Sequence, residues 1–184
     1  MKATKEHTVL PNLLNREFKQ GIPGKVLLTD ISYLFFNHAQ KAYLSTTLDA
    51  STNEVLGYTI SKSLSIDIAI STVDNLIKSN SSLLHKDVII HSDQVVHYTS
   101  PIFQSKLKQN KIGQSMSRRG NCWDNAPQKS FFGHLKDETN IKDCNTFEEL
   151  AKEIDYYMNY HNNYRCQWNL KKMTPVQYRN HLLT

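Results

Sequence analysis

Asp30 and Asp93 each lie in or at the end of an apolar run, Val26-Leu27-Leu28-Thr29-Asp30-Ile31 and Val88-Ile89-Ile90-His91-Ser92-Asp93. A carboxylate is expensive to place there without a partner. If the two runs are neighbouring central strands, both side chains aim at one point, and a hard divalent cation resolves their repulsion. Mg²⁺ takes carboxylate oxygens plus water and substrate phosphate, and two ions about 3.5 to 4 Å apart clamp the entering and leaving oxygens of a phosphoryl displacement. For either aspartate alone a hydrogen-bonded structural role is the more frequent outcome, so the pair is judged by its surroundings.

The other reactive side chains carry weaker signals. His85, His91 and His97 recur every six residues, which suits neither a helical metal face nor the histidine spacing of zinc modules. Cys122, Cys144 and Cys166 are odd in number, 22 residues apart and without a Cys-x-x-Cys pair. Neither a disulfide framework nor a four-thiolate zinc site is indicated, and a reducing compartment is expected. The net charge of +5 is uneven: residues 1–30 carry +2, 31–100 carry −2 and 137–184 carry −1. Residues 101–136 carry +6, with Lys106, Lys108, Lys111, Arg118, Arg119, Lys129 and Lys136 against Asp124 alone. Such a stretch attracts a polyanion such as nucleic acid, and a solvated helix face is the bland alternative. Arg118 and Arg119, in a polar stretch without apolar periodicity, are the stronger phosphate contacts, with Lys106 and Lys111 from the same segment. The tyrosines between Tyr156 and Tyr164 are able to stack on bases, but their helical spacing predicts a core role. Trp123 is expected to pack locally because tryptophan buries so much area, and Lys171-Lys172 reads as a solvated pair.

These residues need a scaffold, and 184 residues with 39% hydrophobic and 21% charged content suit one globular domain. The longest apolar runs fall far short of the ~20 residues that cross a bilayer, and the first residues lack a signal-peptide core. A soluble, cytoplasmic protein is expected. Residues 1–24 end in Gly21-Ile22-Pro23-Gly24 and read as an extended leader or linker. Residues 25–36, 41–48 and 54–61 are rich in β-branched and aromatic side chains, the last two joined by the turn former Asp49-Ala50-Ser51-Thr52-Asn53, which predicts an antiparallel meander. Ile66, Ala69, Ile70, Val73, Leu76 and Ile77 then repeat at helical spacing behind Ser63 or Ser65, for a helix of about three turns. A strand at 87–91, a helix opened by Ser100-Pro101 and a strand at 112–116 imply a crossover. Residues 117–125 read as a mobile loop, Pro127 opens a helix over about 126–138, Asn145 with Glu148 suggests a capping box, and a last helix starts at Thr174-Pro175.

Ordered blocks along nearly the whole chain carry a resemblance. They are Asn12-Leu13-Leu14-Asn15-Arg16-Glu17-Phe18, Thr29-Asp30-Ile31, Tyr43-Leu44-Ser45, Gly57-Tyr58, His91-Ser92-Asp93-Gln94 and Gln114-Ser115-Met116-Ser117-Arg118. They continue with Gly120-Asn121-Cys122-Trp123-Asp124-Asn125-Ala126-Pro127, Ser130-Phe131-Phe132, Leu135-Lys136, Tyr160-His161-Asn162-Asn163 and Thr174-Pro175-Val176-Gln177-Tyr178-Arg179. The chain resembles the catalytic region of bacterial insertion-sequence transposases of the retroviral-integrase type, whose second reading frame carries a DDE core. The resemblance implies an α/β, ribonuclease H-like fold with a mixed five-stranded sheet flanked by helices. The leader at 1–24 would be followed by the core at 25–144 and a C-terminal helical extension at 145–184. It implies Mg²⁺- or Mn²⁺-dependent DNA cleavage and strand transfer, with Asp30 and Asp93 as metal-binding carboxylates. Its partners would be element ends, target DNA and further copies of the chain, in a bacterial cytoplasm. Gln94 and Asn125 flank this site as candidates to position a DNA strand, with turn and cap roles as the alternative.

The third ligand should lie on the helix after Pro127, at a position occupied here by Lys129, where the family places glutamate. A protonated lysine cannot ligate Mg²⁺ and repels it, and is expected instead to pair with Asp30 and Asp93, leaving the metal unbound and the catalysis impaired. Glu138 is nine helical positions on and faces the other way, and Asp137 lies two turns down. Val95-Val96 stands where the family has glycine after His91-Ser92-Asp93-Gln94, so strain is expected if that turn needs a positive φ. About thirty residues precede Asp30, too few for the upstream helix-turn-helix of the family, whose role a separate protein would supply. A non-catalytic DNA-binding or dimerising remnant is the alternative function, and a nuclease using one metal on Asp30 and Asp93 is a third.

Overall fold

The computed structural model describes residues 7–15, 17, 20–118 and 125–184. Three strands, β1 (Val26–Phe36), β2 (Gln40–Asp49) and β3 (Val55–Ser61), form the expected antiparallel meander. Helix α1 (Ile66–Asn80) leads to β4 (Ile89–Ser92), the short α2 (Val96–Thr99), α3 (Pro101–Gln109) and β5 (Gly113–Met116). Then come α4 (Ala126–Glu138), α5 (Phe147–Asn163) and α6 (Pro175–Leu183). The strand order is β3-β2-β1-β4-β5, with β4 parallel to both β1 and β5. This is the mixed five-stranded sheet expected from the sequence.

Two apolar layers hold the helices on opposite faces. Leu27, Leu56 and Ile90 pack with Val73 and Leu76 of α1 and Phe103 and Leu107 of α3. Leu34, Leu44 and Leu48 pack on the other face with Phe131 and Leu135 of α4 and Ile154 and Tyr157 of α5. The caps explain where helices start. Ser100 Oγ accepts from the Ile102 amide with Pro101 in the first turn of α3, and Thr174 and Gln177 form a full capping box on α6. On α5 the capping residues are Thr146 and Glu149, one position beyond Asn145 and Glu148. Helix α1 runs longer than the three turns expected, and its N-cap residue Ser65 makes no side-chain cap bond.

Of the described residues before β1, several are held against the core. His7 Nδ1 lies 3.0 Å from Thr99 Oγ1, the Leu13 amide donates to Ser115 Oγ at 2.9 Å and Leu14 is buried. Strand β3 is a sheet edge, and side chains occupy its free backbone groups: Asn75 donates to the Tyr58 carbonyl, Asn80 to that of Leu56, and Asn162 pairs with both backbone groups of Val55. Asparagines thus block the edge against pairing with another strand. Helix α1 crosses β3 at Gly57, where an added Cβ would meet Thr47 Oγ1 at 2.8 Å, Leu76 Cβ at 2.9 Å and the Thr72 carbonyl oxygen at 3.0 Å. Gly57→Ala is therefore expected to cost about 1–3 kcal/mol of stability, read as a lower urea midpoint; an unchanged midpoint would mean that α1 can move off the sheet freely. Among the described residues no helix is long and apolar enough to cross a membrane.

Candidate active site

The register brings the two aspartates together. Leu28 of β1 pairs with His91 of parallel β4; Asp30 lies two residues further along β1 and Asp93 one residue beyond the end of β4, near enough for the charge of Asp93 to act on Asp30. Asp30 falls on the face that carries α4, because Leu27, an odd number of residues away in the same strand, belongs to the α1 and α3 layer, and the charge of Lys129 on α4 acts on both acids. Asp30 Oδ1 accepts from the Ile31 amide at 2.8 Å and Asp93 Oδ1 from the Val95 amide at 3.2 Å. Burial, then the charge of Asp93, raises the Asp30 carboxyl to about 6. Burial also raises that of Asp93, against the Val95 amide and the charges of Lys129 and His97.

Helix α4 is pinned above this pair by Asn125, a candidate in the sequence for a different role, and by Gln128, which the sequence does not single out. Asn125 is buried and donates to the Thr29 carbonyl at 3.2 Å. Gln128, fully buried, donates to Thr46 Oγ1, and Thr46 is the β2 residue paired with Asp30. Asn125 Oδ1 and Gln128 Oε1 stay buried without a hydrogen-bond partner. Beneath the acids, buried Tyr98 sets its hydroxyl 3.5 Å from Thr29 Oγ1, and burial together with the charge of Asp30 lifts its pKa well above the ordinary value. Gln128 reads in sequence as one more polar residue of a first helical turn, and only its neighbours reveal its anchoring role.

Lys129 follows Gln128, and its charge lowers the pKa of both aspartates. It acts through space from an exposed position and makes no hydrogen bond to either, so the expected direct pairing is not what the fold builds. Glu138 is committed elsewhere: Arg165 grips it with donors at 2.6 to 2.9 Å and the Tyr157 hydroxyl donates to it at 3.1 Å. Among the described residues no group of three or more His, Cys, Asp or Glu is gathered to hold a metal. The strain expected at Val95 does not arise, because Val95 takes φ −70° and ψ 159° as the residue before α2.

The other sequence candidates are dispersed. Gln94 Nε2 donates to the Ser117 carbonyl at 2.9 Å, tying the Asp93 turn to the end of β5, and buried Asn125 faces the fold rather than solvent. Arg118, exposed, follows β5 near the Asp93 end of the sheet, whereas Arg119, Cys122 and Trp123 lie outside the described residues, as does most of the loop expected at 117–125. Lys106 is ion-paired with Asp74 of α1. Lys111 precedes β5, whose first residue pairs with the first residue of β4, so it sits at the opposite end of the sheet from Asp93, about 13 Å along the strands. The basic segment is thus not one patch. The three histidines serve the fold separately, His91 with Ser115 Oγ at 2.9 Å, His97 near the Leu64 carbonyl and His85 with the Asp87 amide. Of the tyrosines between Tyr156 and Tyr164, Tyr157 enters the core, whereas Tyr156, Tyr160 and Tyr164 are exposed on α5 and beyond it. Cys144 and Cys166 are free thiols.

Comparison with known proteins agrees with this architecture. Residues 21–122 match a family model described as integrase core domain, and residues 129–183 match a second model of the same description. The putative transposase InsK for insertion sequence element IS150 of Escherichia coli strain K12 is 36% identical over 171 residues, covering 92% of the chain and 59% of the relative. A transposase-like protein of Haemophilus influenzae is 38% identical over 174 residues, covering 93% of the chain and 78% of the relative. In structure, the HTLV-2 integrase catalytic core domain in complex with magnesium (trimeric form) superposes with a TM-score of 0.66 at 17% identity, over 86% of this chain and 97% of that one. A chain of the simian T-cell lymphotropic virus intasome gives a TM-score of 0.69 at 17% identity, over 96% of this chain and 60% of that one. At such identity the likeness shows the fold, that of the ribonuclease H-like integrase cores.

Proposed function

Because the chain belongs to the integrase core family and has insertion-sequence transposases among its relatives, we propose that it is the catalytic core of a DDE-type DNA transposase whose third acidic position is Lys129 and whose strand transfer is thereby impaired. The observation that carries this reading is the coupled trio at the sheet end: two carboxylates raised by burial and one lysine that acts on both.

The donor set suits a hard divalent cation in type but not in number. Asp30 and Asp93 would hold Mg²⁺ or Mn²⁺, and the buried acceptor oxygens of Asn125 and Gln128 are of the kind that orders its water shell. When bound, such an ion polarises a phosphodiester and lowers the pKa of attacking water or hydroxyl. The chain's own contribution is positional: β1 and β4 set the carboxylates, Asn125 and Gln128 lock α4 against them, and Lys129 supplies positive charge where a third anion would strengthen ion binding. Element ends and target DNA are the proposed substrates, and further copies of the chain the proposed assembly.

Retention of duplex DNA at low salt, with metal-dependent cleavage close to background, is the expected behaviour. Efficient cleavage would remove the argument from Lys129, and failure to retain DNA at any salt would remove the DNA reading. Replacing Arg118 and Arg119 together with alanine is expected to weaken binding and flatten its salt dependence by a slope of about 1 to 2, since each phosphate contact releases counterions. An unchanged slope would assign phosphate contact elsewhere. The offset of charge within the trio also favours a second reading, a DNA-binding remnant without chemistry. Cleavage that stays at background after the site is given its third acid would select it.

A further inference from the structure

From Tyr156 to Thr184 the chain carries Arg165, Lys171, Lys172 and Arg179 and no aspartate or glutamate. The two arginines are spent inside the fold, Arg165 on Glu138 and Arg179 on Glu54. The two lysines are not. Lys172 holds its ammonium 4.6 Å from the ring centroid of Trp168, and Lys171 sets its Nζ 2.9 Å from His181 Nε2. Among the described residues neither meets a carboxylate.

The loop that presents them is closed on itself. Gln167 and Met173 pair as an antiparallel bridge, the amides of Gln167 and Lys172 donate at 3.0 Å to the carbonyls of Met173 and Gln167, and Leu170 is buried. Within it Lys171 and Lys172 take φ of 55° and 62°. Glycine adopts this left-handed region freely, whereas a residue with a Cβ resists it. Two successive lysines there lower stability, and strain of this kind points to function rather than to packing. It turns consecutive side chains apart, one onto Trp168 and one onto α6, and both lysines are exposed.

Open aromatic rings lie alongside. Trp168 is 84% exposed, so the indole face that Lys172 does not cover is open. Tyr164, at the end of α5, is 68% exposed, and Tyr160, one turn before it, 38%. Tyr160 and Tyr164 are four positions apart, about 6 Å along the helix, wider than the ~3.4 Å step between stacked bases of a duplex strand. Rings spaced in this way suit bases splayed apart, whereas in a duplex each base face is covered by its neighbours. Glu149 and Glu153, on the first turns of α5, accept from the amides of Asn145 and Asn140, so the acidic end of the helix lies away from the loop. Open rings beside unpaired cations select a polyanion with free planar groups, which is an unpaired nucleic-acid strand. Trp168 also shares a cavity wall with Pro127 and Ser130 of α4, so a strand lying here runs beside the helix that carries Lys129.

We propose that the surface formed by residues 160–173 binds an unpaired DNA strand, with Tyr164 and Trp168 stacking on its bases and Lys171 and Lys172 contacting its phosphates. The proposal rests on the DNA reading above and adds to it a contact outside the acid pair. The full chain is titrated at low salt into labelled oligothymidine of about 12 nucleotides, an abasic strand of equal length and a duplex, with fluorescence anisotropy as the readout. Oligothymidine is expected to bind about tenfold tighter than the abasic strand, whose charge is the same. Trp168→Ala, at an exposed position, is expected to remove that preference and Tyr164→Ala to reduce it. Lys171→Gly combined with Lys172→Gly is expected to flatten the salt dependence by a slope of about 1.4, that of two single-strand phosphate contacts. Its melting temperature should be no lower than that of the parent, because glycine accepts the same backbone. Equal affinity for oligothymidine and the abasic strand, a preference that survives Trp168→Ala, or an unchanged salt slope overturns the proposal. Dimers in sedimentation that Trp168→Ala dissolves, without any base preference, would assign the surface to a second copy of the chain and overturn it too. Duplex retention without base preference rejects this surface alone, whereas no retention of any DNA rejects the DNA reading and the proposal with it.

Discussion

Lys129→Glu is expected to raise Mg²⁺- or Mn²⁺-dependent DNA cleavage by more than about a hundredfold, since changes merely around a metal site's ligands already cost about 10 to 100-fold. The substitution removes a cation that repels the metal and adds a carboxylate in the first turn of α4, near the positive end of its dipole. Asn125 and Gln128 hold that turn against Thr29 and Thr46, so the new side chain starts from a fixed base beside Asp30. A readout independent of DNA accompanies it. Without metal, a third anion adds to the repulsion between two acids already raised by burial, so the variant should melt lower than the parent. Added Mg²⁺ should then raise its melting temperature steeply, because an ion that binds only the folded state stabilises by mass action. Equal cleavage by parent and variant, or a metal response no larger in the variant, would sink the assignment of Lys129 to the third position.

Asp30→Asn is expected to stabilise the protein at neutral pH. The folded carboxyl has its pKa at about 6 against an ordinary 3.8, so the folded chain binds this proton more tightly than the unfolded one. The resulting stabilisation is complete below 3.8 and disappears as pH rises through about 6; above that the folded state carries a charge it disfavours. Discounted for partial exposure, the penalty is about 2 kcal/mol. Asparagine removes it, for a gain of roughly 4 to 8 °C in melting temperature at pH 7.5 and close to none at pH 3.5. Lys129→Met should act in the opposite direction at pH 7.5, since the lysine offsets the same charge. No gain at pH 7.5 from Asp30→Asn would mean that the acids are not in electrostatic conflict, and the case for a cation site would fall. In the Lys129→Glu background, Asp30→Asn should return cleavage to background, the usual trade of stability for function at a charged site.

The β-branched and aromatic content of residues 25–61 with its turn cluster, and the helical repeat from Ile66, were enough to expect the meander and the helix after it, because strand preference, turn chemistry and helical period are carried locally by the chain. Ser100-Pro101 and Thr174-Pro175 likewise announced their helices, since cap and first turn lie within a few residues of each other. Asp30 and Asp93 were legible for a related reason: an acid inside an apolar strand is conspicuous wherever the strand goes. The position of Lys129 came from the family resemblance, and no period or spacing in the chain would have singled it out.

What tertiary structure alone decided is which distant groups meet, and whether each is then satisfied. Packing buried Asn125 and Gln128 and gave them partners on β1 and β2, where the sequence left Asn125 open to solvent and DNA. It sorted the tyrosines of α5 so that Tyr157 is core while Tyr156 faces water, and it spread Lys106, Lys111 and Arg118 over different parts of the surface. It joined Asn53 to Gln167 across 114 positions of chain and left His161 Nδ1 and Gln167 Nε2 buried without partners. Local propensity acts over one turn or one strand; hydrogen-bond satisfaction and through-space charge depend on neighbours that only the closed sheet and its helices supply.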